Sequence, residues 1–187
     1  MKNIYFVQAN NIYGNDRRSV YIPYASGCIA AYAFEDEKIR KNCNPAGFIY
    51  THEPIKDAVR KIAEPFVVAF SCSVWNYEYN KALAKEIKKL YPETVIIFGG
   101  HNVLRNFGSF DDCPEADILI YREGEEAFRR IILALLENEN LNNIANIAFR
   151  SGTEYVRTKE EAFCMNEYPS PYLNGIFDGT FNIVCMT

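Results

Sequence analysis

The 187-residue sequence predicts an α/β fold, a doubly wound parallel sheet with helices on both faces. Three observations predict it. Short β-branched or aromatic runs alternate with segments of helical period along most of the chain. Those runs are only about 4 to 8 residues long and nearly continuous in apolar character, which suits strands covered on both faces. The segments between them are long enough for the crossovers that parallel strands require.

The elements follow in order. Strands are predicted at Ile4 to Ala9, Gly47 to Thr51, Phe66 to Ser71, Val95 to Phe98 and Ala116 to Tyr121. Between the third and fourth, Tyr79, Leu83, Ile87 and Leu90 recur at helical spacing, and the pattern stops at Pro92. Phe128, Ile131, Ile132, Leu135 and Leu136 repeat it more strongly, and polar Asn138 to Asn143 close the segment. Shorter helices are predicted over Gly27 to Lys41 and over Pro54 to Ala63, the latter with proline in its first turn. Ile144 to Arg150 and Thr153 to Thr158 read as a hairpin around Ser151-Gly152. The segment from Tyr168-Pro169-Ser170-Pro171-Tyr172 through Gly175 and Gly179 reads as a linker. The simplest architecture is a five-stranded sheet of flavodoxin-like type with a short C-terminal hairpin and linker, and a ligand crevice at the carboxyl ends of the strands.

Composition excludes several classes of function. Twenty Lys and Arg against 24 Asp and Glu leave a formal charge of −4, which lacks the basic footprint of a nucleic-acid binder. With 49% hydrophobic and 14% aromatic residues the chain is not disordered, and it can bury roughly 70% of its unfolded surface. No apolar run approaches the roughly 18 residues of a membrane span, and the start of the chain turns polar too soon for a signal peptide. These features predict a cytoplasmic protein. The six cysteines, Cys28, Cys43, Cys72, Cys113, Cys164 and Cys185, are too widely spaced for a CxxC-type metal motif. Several lie inside apolar segments, so they are predicted to be buried, reduced thiols.

In a doubly wound sheet the loops that follow strands carry the ligand. Ser71-Cys72-Ser73 and Gly99-Gly100 end neighbouring strands. Glycines there let a ligand pass close to the backbone, and small hydroxyl residues opposite widen the gap and donate hydrogen bonds. Together they describe a narrow slot running down into the sheet. Val74, Trp75 and Asn76 continue the first loop and bring the only tryptophan to its mouth. Arg122-Glu123-Gly124-Glu125 follows the fifth strand; helix-dipole complementarity accounts for Glu125 and Glu126 but not for Gly124. His101 lies in the crevice, either as a polar turn residue or as a contact to a ligand, whereas His52 reads as an exposed loop residue. Arg17 and Arg18 could meet a phosphate or could simply be solvated.

Taken in order, Tyr21-Ile22-Pro23-Tyr24-Ala25-Ser26-Gly27, Ser71-Cys72-Ser73-Val74-Trp75-Asn76, Phe98-Gly99-Gly100-His101, Arg122-Glu123-Gly124-Glu125 and Ser170-Pro171-Tyr172 resemble the N-terminal cobalamin-binding region of cobalamin-dependent radical S-adenosylmethionine enzymes. The resemblance implies that residues 1–140 form a Rossmann-like cobalamin-binding domain, with residues 141–187 a hairpin and linker leading toward a radical domain of the same protein. It implies that the nucleotide tail of the cofactor enters between Ser71 and Ser73 on one side and Gly99 and Gly100 on the other. Tyr24, Ser26, Gly27, Cys72, Val74, Trp75, Asn76, His101 and Arg122 to Glu125 complete the cofactor-binding set that it implies. Many such domains carry an Asp-x-His-x-x-Gly loop whose histidine binds cobalt from below, but the corresponding stretch here, Tyr24 to Ile29, contains neither Asp nor His. The implied cofactor state is therefore base-off without a histidine ligand, and no metal ligand is assigned.

The family's CxxxCxxC loop, which holds an iron–sulfur cluster, does not follow the linker. S-adenosylmethionine and the cluster are thus expected only in a further domain, and the chain alone is expected to bind cobalamin without catalysis. The full-length protein is expected to be a methyltransferase or a related radical enzyme, with no nucleic-acid or membrane partner. A stand-alone corrinoid carrier and a flavodoxin-like small-ligand domain are the alternatives. A phosphoacceptor domain fits poorly, because Gln8-Ala9-Asn10 and Arg122-Glu123 stand where it needs acids and a lysine.

Overall fold

The structure, a computed structural model, describes residues 1–10, 21–104, 107–163 and 168–180. Strands and helices alternate: β1 (Lys2–Asn10), α1 (Tyr24–Ala33), α2 (Glu37–Asn42), β2 (Cys43–Thr51), α3 (Ile55–Arg60), β3 (Pro65–Ser71), α4 (Tyr77–Leu90), β4 (Val95–Gly99), α5 (Gly108–Asp112), β5 (Ile118–Ile120), α6 (Glu125–Glu137), β6 (Ile147–Ser151) and β7 (Glu154–Arg157). The loop carrying Arg17 and Arg18, and the residues Cys164 and Cys185, lie outside the described residues.

All strands form one sheet in the order β2-β1-β3-β4-β5-β6-β7. The first five are parallel, while β6 and β7 continue the sheet antiparallel from β5. The five-stranded sheet expected from the sequence is therefore corrected to seven strands. The hairpin has its own apolar row, and Ile147, Ala148 and Phe149 pair opposite Ile120, Leu119 and Ile118. Left apart, it would expose that row and leave β5 as a bare apolar edge, so pairing satisfies both.

Alternation along the strands sorts side chains into two cores. Ile4, Phe6, Val67, Ile97, Ile118 and Ile120 face α1 and α6, meeting Ala30, Ala33, Phe128, Ile131 and Ile132. Val7, Val68, Phe70, Ile96, Phe98 and Leu119 face the other way, toward Val59, Leu83, Ala84, Ile87 and Phe110. Each such side chain contributes roughly 1.5–3 kcal/mol on burial, so the strand faces dominate local propensity.

Three helices differ from the sequence reading. The predicted helix over Gly27 to Lys41 is two, because Asp36 accepts hydrogen bonds from the Lys38 and Ile39 backbone N–H groups at 2.9 and 3.4 Å and starts α2 afresh. The apolar stripe of α4 ends at Ile87, since Leu90 is 60% exposed. The short helix α5 was not anticipated, its five residues being too few to show a period.

Among the described residues, no helix is long and apolar enough to cross a membrane, and no group of three His, Cys, Asp or Glu residues could hold a metal ion. Cys43, Cys72 and Cys113 are buried, Cys28 is half-buried, and all four are free thiols.

Candidate functional site

The strand order changes direction at β1: β2 lies on one side of it and every later strand on the other. Connections then leave the sheet to opposite faces, and a crevice opens at the carboxyl ends of the strands. Here it holds a cavity of about 400 Å³. Phe6, Ala69, Ile97 and Ile120 form its apolar floor, and Ile29 of α1 and Phe128 of α6 wall it.

The loop after β3 is held rigidly. Asn76 is 1% exposed, and its side-chain amide donates to the Ala9 and Ser71 carbonyls at 3.1 and 2.9 Å. Its side-chain oxygen accepts from the Ser73 backbone N–H at 2.8 Å, and Asn80 also donates to the Ser71 carbonyl at 3.2 Å. Asn76 thus ties the ends of β1 and β3 together on the two sides of the crevice. The neighbouring loop is stitched to this one: the Cys72 N–H donates to the Gly99 carbonyl at 2.6 Å, and the Asn102 N–H to the Cys72 carbonyl at 3.1 Å. Gly100 adopts φ +106°, and a Cβ there would sit 2.7 Å from the Cys72 carbonyl oxygen.

On the opposite rim, Arg122 has φ +58° and its Nε donates to Glu160 at 2.8 Å, so the region beyond β7 steadies the loop after β5. Gly124 has a packing reason that the sequence did not supply. A Cβ there would come within 2.9 Å of Ile29 Cδ1, so glycine permits the close approach of α1 and α6.

The fold brings nine of the sequence-predicted residues to the cavity: Ser26, Ser71, Gly99, Gly100, His101, Arg122, Glu123, Gly124 and Glu125. The other seven stand apart from its lining. Val74 and Trp75 are exposed on the same loop, and Ser73 and Asn76 build that loop. Cys72 points into the opposite core, where burial pushes its thiol up to about 12 and removes it as a nucleophile or ligand. Tyr24 is exposed and stacks on Tyr172 at 6.1 Å between centroids, and a Cβ on Gly27 would overlap the Phe177 ring. The sequence reading missed the apolar floor, which resembles ordinary core, and Tyr168, which lines the cavity from the segment read as a linker.

No family model matches the chain. It is 30% identical over 182 residues to a cobalamin-dependent radical SAM methyltransferase, TokK, of Streptomyces tokunonensis, covering 95% of this chain. The chain is a homologue of cobalamin-dependent radical S-adenosylmethionine methyltransferases. It is also 28% identical over 182 residues to the 2-(S-pantetheinyl)-carbapenam-3-carboxylate methyltransferase of Streptantibioticus cattleyicolor. The chain spans about a quarter of the length of these homologues, 26% in each case. Among solved structures, the cobalamin-dependent S-adenosylmethionine radical enzyme OxsB, with aqua-cobalamin and S-adenosylmethionine bound, superposes with a TM-score of 0.69 at 16% identity. That match covers 94% of this chain and 25% of OxsB. The radical S-adenosylmethionine methyltransferase TsrM of Kitasatospora setae superposes with a TM-score of 0.61 at 14% identity, over 85% of this chain and 30% of TsrM. These superpositions establish a shared fold.

Proposed function

We propose that this chain binds cobalamin through the crevice between Ser71 and Gly99-Gly100, as the N-terminal cobalamin-binding part of a radical S-adenosylmethionine methyltransferase. The observation that carries the reading is the cavity itself, an apolar slot at the point where the strand order turns, beside a Gly100 whose close approach to the Cys72 backbone leaves no room for a Cβ. The five parallel strands, in the order β2-β1-β3-β4-β5, are those of a flavodoxin-type sheet, which binds flat ligands at this place.

The residues fit the group. About 400 Å³ is too little for a corrin macrocycle but suits the flat base and ribose of its nucleotide tail. Ser71 and the Gly99-Gly100 backbone would hold the tail, and Phe6, Ile97, Ile120 and Phe128 would exclude water from it. Trp75, 52% exposed beside the mouth, offers a ring on which the macrocycle can rest. When bound, cobalamin supplies a cobalt centre able to carry a methyl group. In the full-length protein, the S-adenosylmethionine and iron–sulfur chemistry would belong to a C-terminal radical domain, and such chemistry in a protein with reduced thiols suits the cytoplasm.

We further propose that the cofactor is bound base-off with no histidine below the cobalt. The stretch Tyr24 to Ile29, which stands where related domains carry the ligand loop, holds no histidine, and the two histidines of the chain lie elsewhere. His52 lies past β2 with its ring 4.8 Å from that of Tyr79, and partial burial holds its pKa below the usual histidine value. His101 sits on the rim beside Gly100.

The test is to mix the protein with hydroxocobalamin, desalt it and record the visible spectrum. Retention of about one corrinoid per chain is expected, and a colourless folded protein would refute the reading. Paramagnetic resonance of the Co(II) form should lack nitrogen superhyperfine splitting, and its presence would refute the histidine-free state.

A further inference from the structure

The segment that the sequence reads as a linker is packed as a wall. Residues 168–180 run through successive turns closed by Asn174 N–H to Ser170 carbonyl, Asp178 N–H to Gly175 carbonyl and Thr180 N–H to Phe177 carbonyl bonds, each 3.0 Å. Gly175 and Gly179 supply the positive φ values, +70° and +72°, that such turns require. Phe177 is 5% exposed and edge-on to Phe48 and Tyr172, at 5.4 and 5.3 Å between centroids. Its ring fills the notch left by Gly27, where any larger residue would displace it. Tyr172 in turn stacks on Tyr24. The segment is therefore fastened to α1 at two points, and α1 is also a wall of the cavity.

That anchoring delivers Tyr168 to the cavity, which it lines with about half of its surface exposed. We infer that residues 168–180 are a fixed strap, and that Tyr168 packs on the flat base of the cofactor's nucleotide tail. The inference rests on the cobalamin reading above and adds to it both a contact residue and the device that positions it. A half-exposed aromatic ring lining an apolar slot presents a surface on which another flat ring can stack, and such stacking changes affinity by roughly tenfold. Phe177 is not among the residues that line the cavity, so it acts by holding the strap and is a positioning residue.

The experiment compares hydroxocobalamin with dicyanocobinamide, a corrinoid lacking the nucleotide tail, by absorbance titration of wild type, Tyr168→Ala, Phe177→Leu and the double variant. Tyr168→Ala should weaken hydroxocobalamin about tenfold and leave cobinamide unchanged. Phe177→Leu should reproduce part of that loss, and the double variant should lose no more than Tyr168→Ala alone. Equal weakening of both corrinoids by Tyr168→Ala, or wild-type affinity for hydroxocobalamin, would overturn the inference while leaving the cobalamin reading intact. Additive losses in the double variant would overturn the anchoring role of Phe177. If Phe177→Leu does not fold, Tyr168→Ala still decides the contact, because it alters only a rim residue. A wild-type protein that binds neither corrinoid would overturn both readings together.

Discussion

Gly100 carries the tightest constraint at the crevice. Its φ of +106° is one that side-chain-bearing residues rarely adopt, and the space for a Cβ is taken by the Cys72 backbone rather than by a movable side chain. Gly100→Ala should therefore cost about 2 kcal/mol or more, read as a lower midpoint in urea denaturation, and should abolish corrinoid retention. Gly27 and Gly124 show how differently one residue type is used. Both face side chains, Phe177 and Ile29, and their need for glycine arises from packing rather than from backbone conformation. The thiols also separate by environment. Burial pushes Cys72 and Cys113 up to about 12, whereas Cys28 is half-buried near the surface of α1. With a thiol reagent at pH 8, Cys28 should react ahead of Cys43, Cys72 and Cys113, which should titrate only after denaturation.

Between residues and fold, two elements set the shape of the site. The loop from Ser71 to Asn76 is held by one buried amide that satisfies two carbonyls and one N–H. Asn76→Ala would remove these three bonds at once, leaving the Ser71 carbonyl to Asn80 alone, and should cost about 2–4 kcal/mol, measured by chemical denaturation. Asn76→Asp should be no better, because a carboxylate would face the Ala9 and Ser71 carbonyls. Helix α6 is held to α1 by Glu126, which accepts a two-pronged interaction from Arg129, both bonds 2.9 Å, and a further 2.9 Å bond from the Tyr32 hydroxyl of α1. Arg129 also donates to Asp36, the cap of α2, at 3.1 Å. Burial alone would push Glu126 up, but the hydrogen bonds from Arg129, Arg130 and Tyr32 outweigh it and hold the carboxyl below its usual range. A depressed carboxylate stabilises the fold above its unfolded pKa, and that contribution disappears as the pH falls through the folded value. Thermal denaturation should show wild type more stable than Glu126→Gln at pH 7, with the gap closing below about pH 4.5.

At the scale of the whole molecule, the hairpin and strap belong to the same body as the sheet. β6 covers the edge of β5, and Ile147 and Phe149 lie in one core while Ala148 lies in the other. A chain ending at residue 140 should therefore expose an apolar edge, give little soluble protein and, where soluble, show reduced strand content by circular dichroism. Much of the fold was legible because its signals are local. The five parallel strands declare themselves as short apolar runs, as strands covered on both faces must, and the stripe Leu83 to Ile87 by helical spacing, which records the apolar face of its helix. The strand-end residues Ser71, Gly99, Gly100 and Arg122 to Glu125 were legible for a related reason, since in this topology the loops after strands must converge. What the sequence by itself determined was thus most of the elements, their apolar character and the end of the sheet at which the strand-end loops converge. Only the tertiary structure decided that the hairpin extends the sheet, that Cys72 and Asn76 support the slot rather than line it, and that Tyr168 reaches it. Those outcomes depend on packing between residues far apart in the chain, such as Gly27 with Phe177 and Asn76 with Ala9, and no local period records which surfaces will meet.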